Sequence, residues 1–264
     1  MSLLLNLLFG RLARRLTGSQ QFQEQLDVWR LYHLTHYYNE CGGEDVRVRK
    51  PDQKVRFSKQ HLQVHTAINA QVIRLLEDKR DSTISFSLDV CPSAIDHPKA
   101  GHGVFLRGRA VPGSVVAFFP GVVYLPPHAK SLPTGADPEY NLYMMSRHDG
   151  AIVNANEYKD ANPYAFGHLI NHPPKGTLPN VMPFSYDVPV TFPSHLVPLI
   201  PNRYFKRPGF LYKTRSHMRC LVMVTTRHVQ DEELLVNYRL NPKGQLPEWY
   251  FPVDGEEDKR RWTT

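Results

Sequence analysis

The chain has 264 residues, 41% hydrophobic and 22% charged, a balance that gives a globular chain with one large domain, or one domain and a smaller companion, around a full core. No apolar run approaches the roughly 20 residues that cross a bilayer as a helix, so no membrane association is expected. The formal charge is +7, but the basic residues are scattered without a Lys/Arg block, which disfavours a nucleic-acid partner. Cys41, Cys91 and Cys220 are far apart and form no Cys-x-x-Cys pair, so a reducing compartment is expected, with neither a disulfide framework nor a zinc or other metal site.

The first stretch, "MSLLLNLLFGRLARRLTGSQ" (1–20), sets Leu5, Phe9, Leu12 and Leu16 at helical spacing, carries Arg11, Arg14 and Arg15, and has no acid before Glu24. This is the make-up of an amphipathic transit peptide and implies a mitochondrial location. The alternative is a terminal helix docked on the domain, in a protein of the nucleus or cytoplasm. The region 21–85 reads as helical. One helix spans 22–40 and ends at the Cys-Gly-Gly of 41–43. A second spans 58–80, with Ser58 as its cap and Val64, Ile68, Val72 and Leu76 along one face. His61 and His65 stand one turn apart there and read as a solvated pair.

From about residue 85 short β-branched runs alternate with Gly, Pro, Asn and Asp. Candidate strands are "GVFL", "SVVAFF", "NLYMM", "AIVNA", "CLVMVT" and "ELLVNY", with "HDG" (148–150) as a hairpin turn. Nine prolines between 173 and 208 exclude a continuous helix or a central strand and predict a long irregular insertion over 173–215. The tail 241–264 ends in "DGEEDKRRWTT", charged and expected to fray.

Four short segments carry candidate chemistry. In "AGHGVFLRGRAVPGSVVAFFPGVVY" (100–124), Gly101 and Gly103 bracket the start of a strand and offer bare backbone to a ligand. In "FGHLINHPPKGTLPN" (166–180), an apolar run stops at Asn171 and His172, which Pro173 and Pro174 hold at its end in a stiff turn. In "VQDEELLVNYRL" (229–240), an acidic turn precedes an apolar strand that ends on Tyr238, and in "LPEWY", Trp249 can stack on a flat ligand.

The order "GHGVF", "LINHPP…LPN", "EELLVNY" resembles that of the SET-domain protein lysine methyltransferases, over roughly residues 90–250. The resemblance implies an α+β fold, a SET-domain β-fold of short strands and small sheets with a knot-like C-terminal crossing, preceded by N-terminal helices. The domain would cover 86–240. It implies S-adenosylmethionine as cofactor, held by the Gly101–His102–Gly103 backbone, Asn171, His172, Tyr238 and Trp249. It implies Tyr238 as the catalytic tyrosine, a substrate channel walled by Phe118, Phe119 and Tyr124, and as partner a protein substrate presenting a lysine-containing segment to a monomeric enzyme. Two departures stand out. Pro173 and Pro174 replace the Ser-Cys that many members carry after Asn-His, and Phe119 stands where some members place a tyrosine. The alternative is a SET-like binding or scaffold protein that has lost catalysis.

Overall fold

A computed structural model describes residues 18–36, 55–77, 84–133, 143–156, 158, 162–206 and 216–262. The segment read as a targeting peptide lies outside the described residues up to position 17, and so do the turn at 41–43, the ends of both helical readings and the end of the insertion. Helix α1 runs Gly18–His36 and α2 runs Phe57–Glu77. α2 starts one residue before Ser58, and the Arg56 carbonyl takes the amides of Lys59 and Gln60, so Ser58 is not the cap. The stripe Val64, Ile68, Val72 and Leu76 is buried as its spacing requires.

His61 and His65 are not a solvated pair. Their rings stack at 4.2 Å, His65 also tilts against Phe184 at 5.2 Å, and His61 Nε2 lies 3.5 Å from Glu24 of α1. Among the described residues no group of three His, Cys, Asp or Glu side chains is placed to hold a metal ion, and no described helix is long and apolar enough to cross a membrane.

Three small sheets follow. β1 (Phe86–Pro92), β2 (His102–Ala110) and β10 (Val229–Glu233) form the first, in the order β1-β2-β10. β3 (Val115–Phe119), β9 (Ser216–Thr225) and β7 (Val181–Pro189) form the second, with β9 in the middle. The third orders β5 (Met144–Ser146), β6 (Ile152–Asn154), β4 (Gly121–Tyr124) and β8 (Asn202–Tyr204), and its β4–β8 pair is parallel. The hairpin predicted at 148–150 joins β5 to β6, with Gly150 at φ +76°.

β9 is buried on both faces, so its period of two divides the interior. Cys220, Val222 and Val224 face the helices, packing with Val64, Ile68 and Tyr186. Leu221 and Met223 face the other sheets, packing with Val104, Ile170, Leu234 and Val236. α2 is fixed on its side by polar contacts as well: Gln71 accepts from the Val115 amide at 2.7 Å and donates to the Gly113 carbonyl at 2.9 Å, and Asn69 accepts from the Tyr186 hydroxyl at 2.6 Å.

Three expectations need correction. The proline-rich insertion is not wholly irregular, because β7 and β8 lie inside it. β7 is an edge strand carrying Pro183, and a sheet edge is where a strand tolerates the missing N–H. "ELLVNY" is not a regular strand: the pairing belongs to the preceding "VQDEE", and 235 and 236 make only isolated bridges. The tail does not fray, since Gly255–Trp262 forms a helix, α3, with Glu257, Asp258 and Arg261 buried.

Candidate functional site

The segment after β10 passes through a clasp. The Leu234 amide donates to the Val104 carbonyl at 2.7 Å, the Val236 amide to the Asn171 carbonyl at 2.9 Å, and the Leu235 carbonyl accepts from Asn180 and Val181 amides at 3.1 Å each. The fully buried Asn180 side chain completes it, accepting from the Leu235 amide at 2.7 Å and donating to the Glu233 carbonyl at 2.8 Å. Residues 172–179, stiffened by Pro173, Pro174 and Pro179, thus arch between two points that both grip the same passing chain. This is the knot-like crossing, a rare topology in which a late segment runs beneath an earlier loop.

The crossing draws the candidate residues together. Asn171 Nδ2 lies 3.2 Å from the Ala100 carbonyl, 3.1 Å from that of His102 and 3.2 Å from Glu233 Oε1. The Tyr238 amide donates to His172 Nδ1 at 3.3 Å, which leaves Nε2 as the protonated nitrogen, donating to the Phe251 carbonyl at 2.9 Å. Burial lowers the His172 pKa, consistent with a neutral ring. The Tyr238 hydroxyl donates to the Ile170 carbonyl at 3.2 Å, and burial pushes its pKa up to about 12, so it stays a neutral phenol. Trp249 stands edge-on to Tyr238 at 6.2 Å, and Tyr250 lies 4.4 Å from the His172 ring.

No protein-family model matches the chain. Two curated relatives do: SET domain-containing protein 9 of Homo sapiens and of Pongo abelii, each 27% identical over 215 aligned residues that cover 65% of this chain and 68% and 75% of theirs. The chain is therefore similar to SET-domain proteins over that stretch. A solved structure of KRYPTONITE in complex with mCHH DNA, an H3(1-15) peptide and SAH is also similar, 19% identical with a TM-score of 0.33, and the match covers 66% of this chain and 26% of that one.

At the start of β2 the two glycines have different duties. Gly101 takes φ +56°, is exposed, and has open space where a β-carbon would project. Gly103 is buried, and a β-carbon there would collide with the Glu233 carboxylate. Glu233 is 8% exposed. It accepts from the Ser93 hydroxyl and the Ala94 amide at 2.8 Å each, as well as from Asn171. It ties the turn before β2 to the crossing, a role the sequence reading did not assign although the acid stands in the quoted motif. His102 is exposed and supplies only its carbonyl to this network.

The three residues expected to wall a channel lie in different surroundings. Phe118 and Phe119 are neighbours on β3, so they point to opposite faces. Phe118 is buried on the helix side of the core, away from the crossing. Tyr124 stacks on Phe205 at 4.7 Å and is buried there. Phe119 faces the crossing side and meets His168 edge-on at 6.4 Å. Tyr143 and Tyr158 lie 6.1 Å from the same imidazole, and the Tyr143 phenol is near enough to Tyr238 to act on its ionisation. Burial pushes His168 down to about 4, only partly offset by the Ala165 carbonyl. This His168-centred aromatic group, missed in the sequence, shares its side of the core with Tyr238.

Proposed function

We propose that the chain is an S-adenosylmethionine-dependent protein methyltransferase acting on a lysine amine of a protein substrate. The single observation that carries this reading is that one crossing brings Asn171, His172 and Tyr238 together, with Asn171 reaching the start of β2. The SET-domain relatives support it at the level of the family.

The residues fit the cofactor. Gly101 leaves open space beside exposed backbone, and His172, Trp249 and Tyr250 supply aromatic surface suited to an adenine. Gly101, His102, Asn171, Tyr238 and Trp249 would hold it, with His172 contributing its ring face and backbone because both ring nitrogens are already engaged. When bound, S-adenosylmethionine supplies a methyl group on a cationic sulfur. Tyr238 stays protonated throughout the physiological range and so presents a neutral hydroxyl, able to orient an amine without adding charge. His168, neutral for the same reason of burial, adds no cation to a wall that must admit a lysine stem beside Phe119, Tyr143 and Tyr158.

The test is calorimetric titration with S-adenosylmethionine and its demethylated product, paired with a radiolabelled-methyl assay on fractionated lysates and mass spectrometry of the labelled band. Saturable binding and a labelled lysine are expected. Absence of binding at millimolar cofactor would overturn the reading in favour of a non-catalytic SET-like scaffold.

A further inference from the structure

α1 does more than cover the core. Its Asp27, 7% exposed, receives Arg239 in a two-pronged pair, Nη1 to Oδ2 and Nη2 to Oδ1 at 3.2 Å each, and Arg261 Nη2 to Oδ1 at 2.9 Å. One turn on, Arg30 grips Glu257 through both nitrogens at 3.0 and 2.5 Å, and Arg261 Nε donates to Glu257 Oε1 at 2.8 Å. Three chain segments that are distant in sequence therefore meet in one buried ion cluster: α1, the residue after Tyr238, and α3.

Arg239 is one of two non-glycine residues with positive φ among the described residues, at +52°. Such a backbone costs on the order of 1 kcal/mol and persists only where its surroundings hold it. Here the holders are Asp27 on its side chain, Asn237 Oδ1 on its amide at 2.9 Å and Trp262 Nε1 on its carbonyl at 2.8 Å. From α3 the restraint continues: the Tyr250 hydroxyl lies 3.4 Å from Asp258 and accepts from the Leu240 amide at 3.2 Å, and the Tyr250 ring packs on His172.

We propose that Asp27 is a positioning residue for the candidate site, setting Tyr238 through Arg239 and the Trp249–Tyr250 wall through Arg261 and α3. This rests on the methyltransferase reading for its functional meaning and on the ion cluster alone for its structural one. Burial opposes the Asp27 charge, but the Arg239 and Arg261 guanidiniums outweigh it and hold the carboxyl below its ordinary range, so the clamp is charged at neutral pH. Removing one partner of such a cluster leaves buried charges uncompensated.

The experiment compares the full chain with Asp27→Asn, Asp27→Glu and Asn69→Ala, the last cutting an α2 contact with Tyr186 away from the site. Circular dichroism and thermal melting report the fold, hydrogen exchange reports residues 237–262, and titration with S-adenosylmethionine reports the site. Asp27→Asn is expected to keep the fold while exchange across 237–251 quickens by about tenfold or more and cofactor affinity falls by a similar factor. Asp27→Glu should recover part of both, and Asn69→Ala neither lose affinity nor quicken that segment. Unchanged exchange in Asp27→Asn, or the same changes in Asn69→Ala, overturns the proposal. If the parent chain binds no cofactor, the methyltransferase reading fails, and the exchange of 237–251 alone still decides the clamp.

Discussion

Asn180 and Leu235 are bonded to one another twice: the Leu235 amide donates to Asn180 Oδ1 at 2.7 Å, and the Asn180 amide donates to the Leu235 carbonyl at 3.1 Å. Two residues from opposite sides of a topological crossing thus behave like partners in a ladder, with a side chain doing the work of a backbone acceptor. Asn180→Ala leaves the Leu235 amide and the Glu233 carbonyl without their partners inside the protein. Each such orphan costs about 1–3 kcal/mol, so a loss on the order of 3 kcal/mol is expected in denaturant unfolding. A loss under about 0.5 kcal/mol, the range of an ordinary surface change, would show that the crossing does not depend on Asn180.

Tyr238→Phe separates chemistry from binding. The hydroxyl contributes one hydrogen bond, to Ile170, so stability should fall by only about 1 kcal/mol. Methyl transfer should fall by about a hundredfold or more, the scale of losing a positioned group at a reacting centre. Cofactor affinity should hold within a few-fold. A variant that turns over at the parent rate would remove Tyr238 from the catalytic role.

Gly103→Ala tests why the second glycine is a glycine. A methyl there enters the space of the Glu233 carboxylate, an overpacking that costs about 1–3 kcal/mol. The cost should shrink in a Glu233→Asp background, because the shorter side chain withdraws the carboxylate. A double-mutant cycle in melting experiments reads the coupling. Strict additivity would mean that the two positions do not touch.

Acid should loosen the helices from the sheet. The His65 pKa lies at about 4 in the folded protein, held down by burial first and by His61 next, against an ordinary value of 6.5. His148 is also lowered, by burial and by Arg147. A depressed folded pKa means stability that is complete above pH 6.5 and drains away as pH falls toward 4, because the unfolded chain takes up the proton first. Thermal melting should show that decline, and His65→Gln should make it shallower, leaving the share of His148, His168 and His172. An equal slope in the variant would assign the acid sensitivity elsewhere.

Much of the frame was legible in the residues. The apolar stripe of α2 and the hairpin at 148–150 follow from periodicity and turn chemistry alone, and the motif order indicated the crossing. What stayed hidden depends on register and on distant pairing. Phe118 and Phe119 look alike in sequence, and only the pairing of β3 with β9 decides which one faces the crossing. β7 was obscured by its own prolines, which an edge strand accepts. His168 carries no local signal, since its neighbours Phe119, Tyr143 and Tyr158 come from three other parts of the chain. The charged tail read as solvated because its partners, Asp27 and Arg30, lie more than two hundred residues earlier.

That last separation has a consequence for biosynthesis. Asp27 is translated long before Arg239 and Arg261, so during elongation its carboxylate lacks both guanidinium partners that hold it in the folded chain. Contacts of such span form slowly, after local structure is in place. The nascent chain therefore carries its glycine turn and its Asn-His arch as separate, inert pieces. The candidate site comes together only when residues 237–262 have been made and have threaded home.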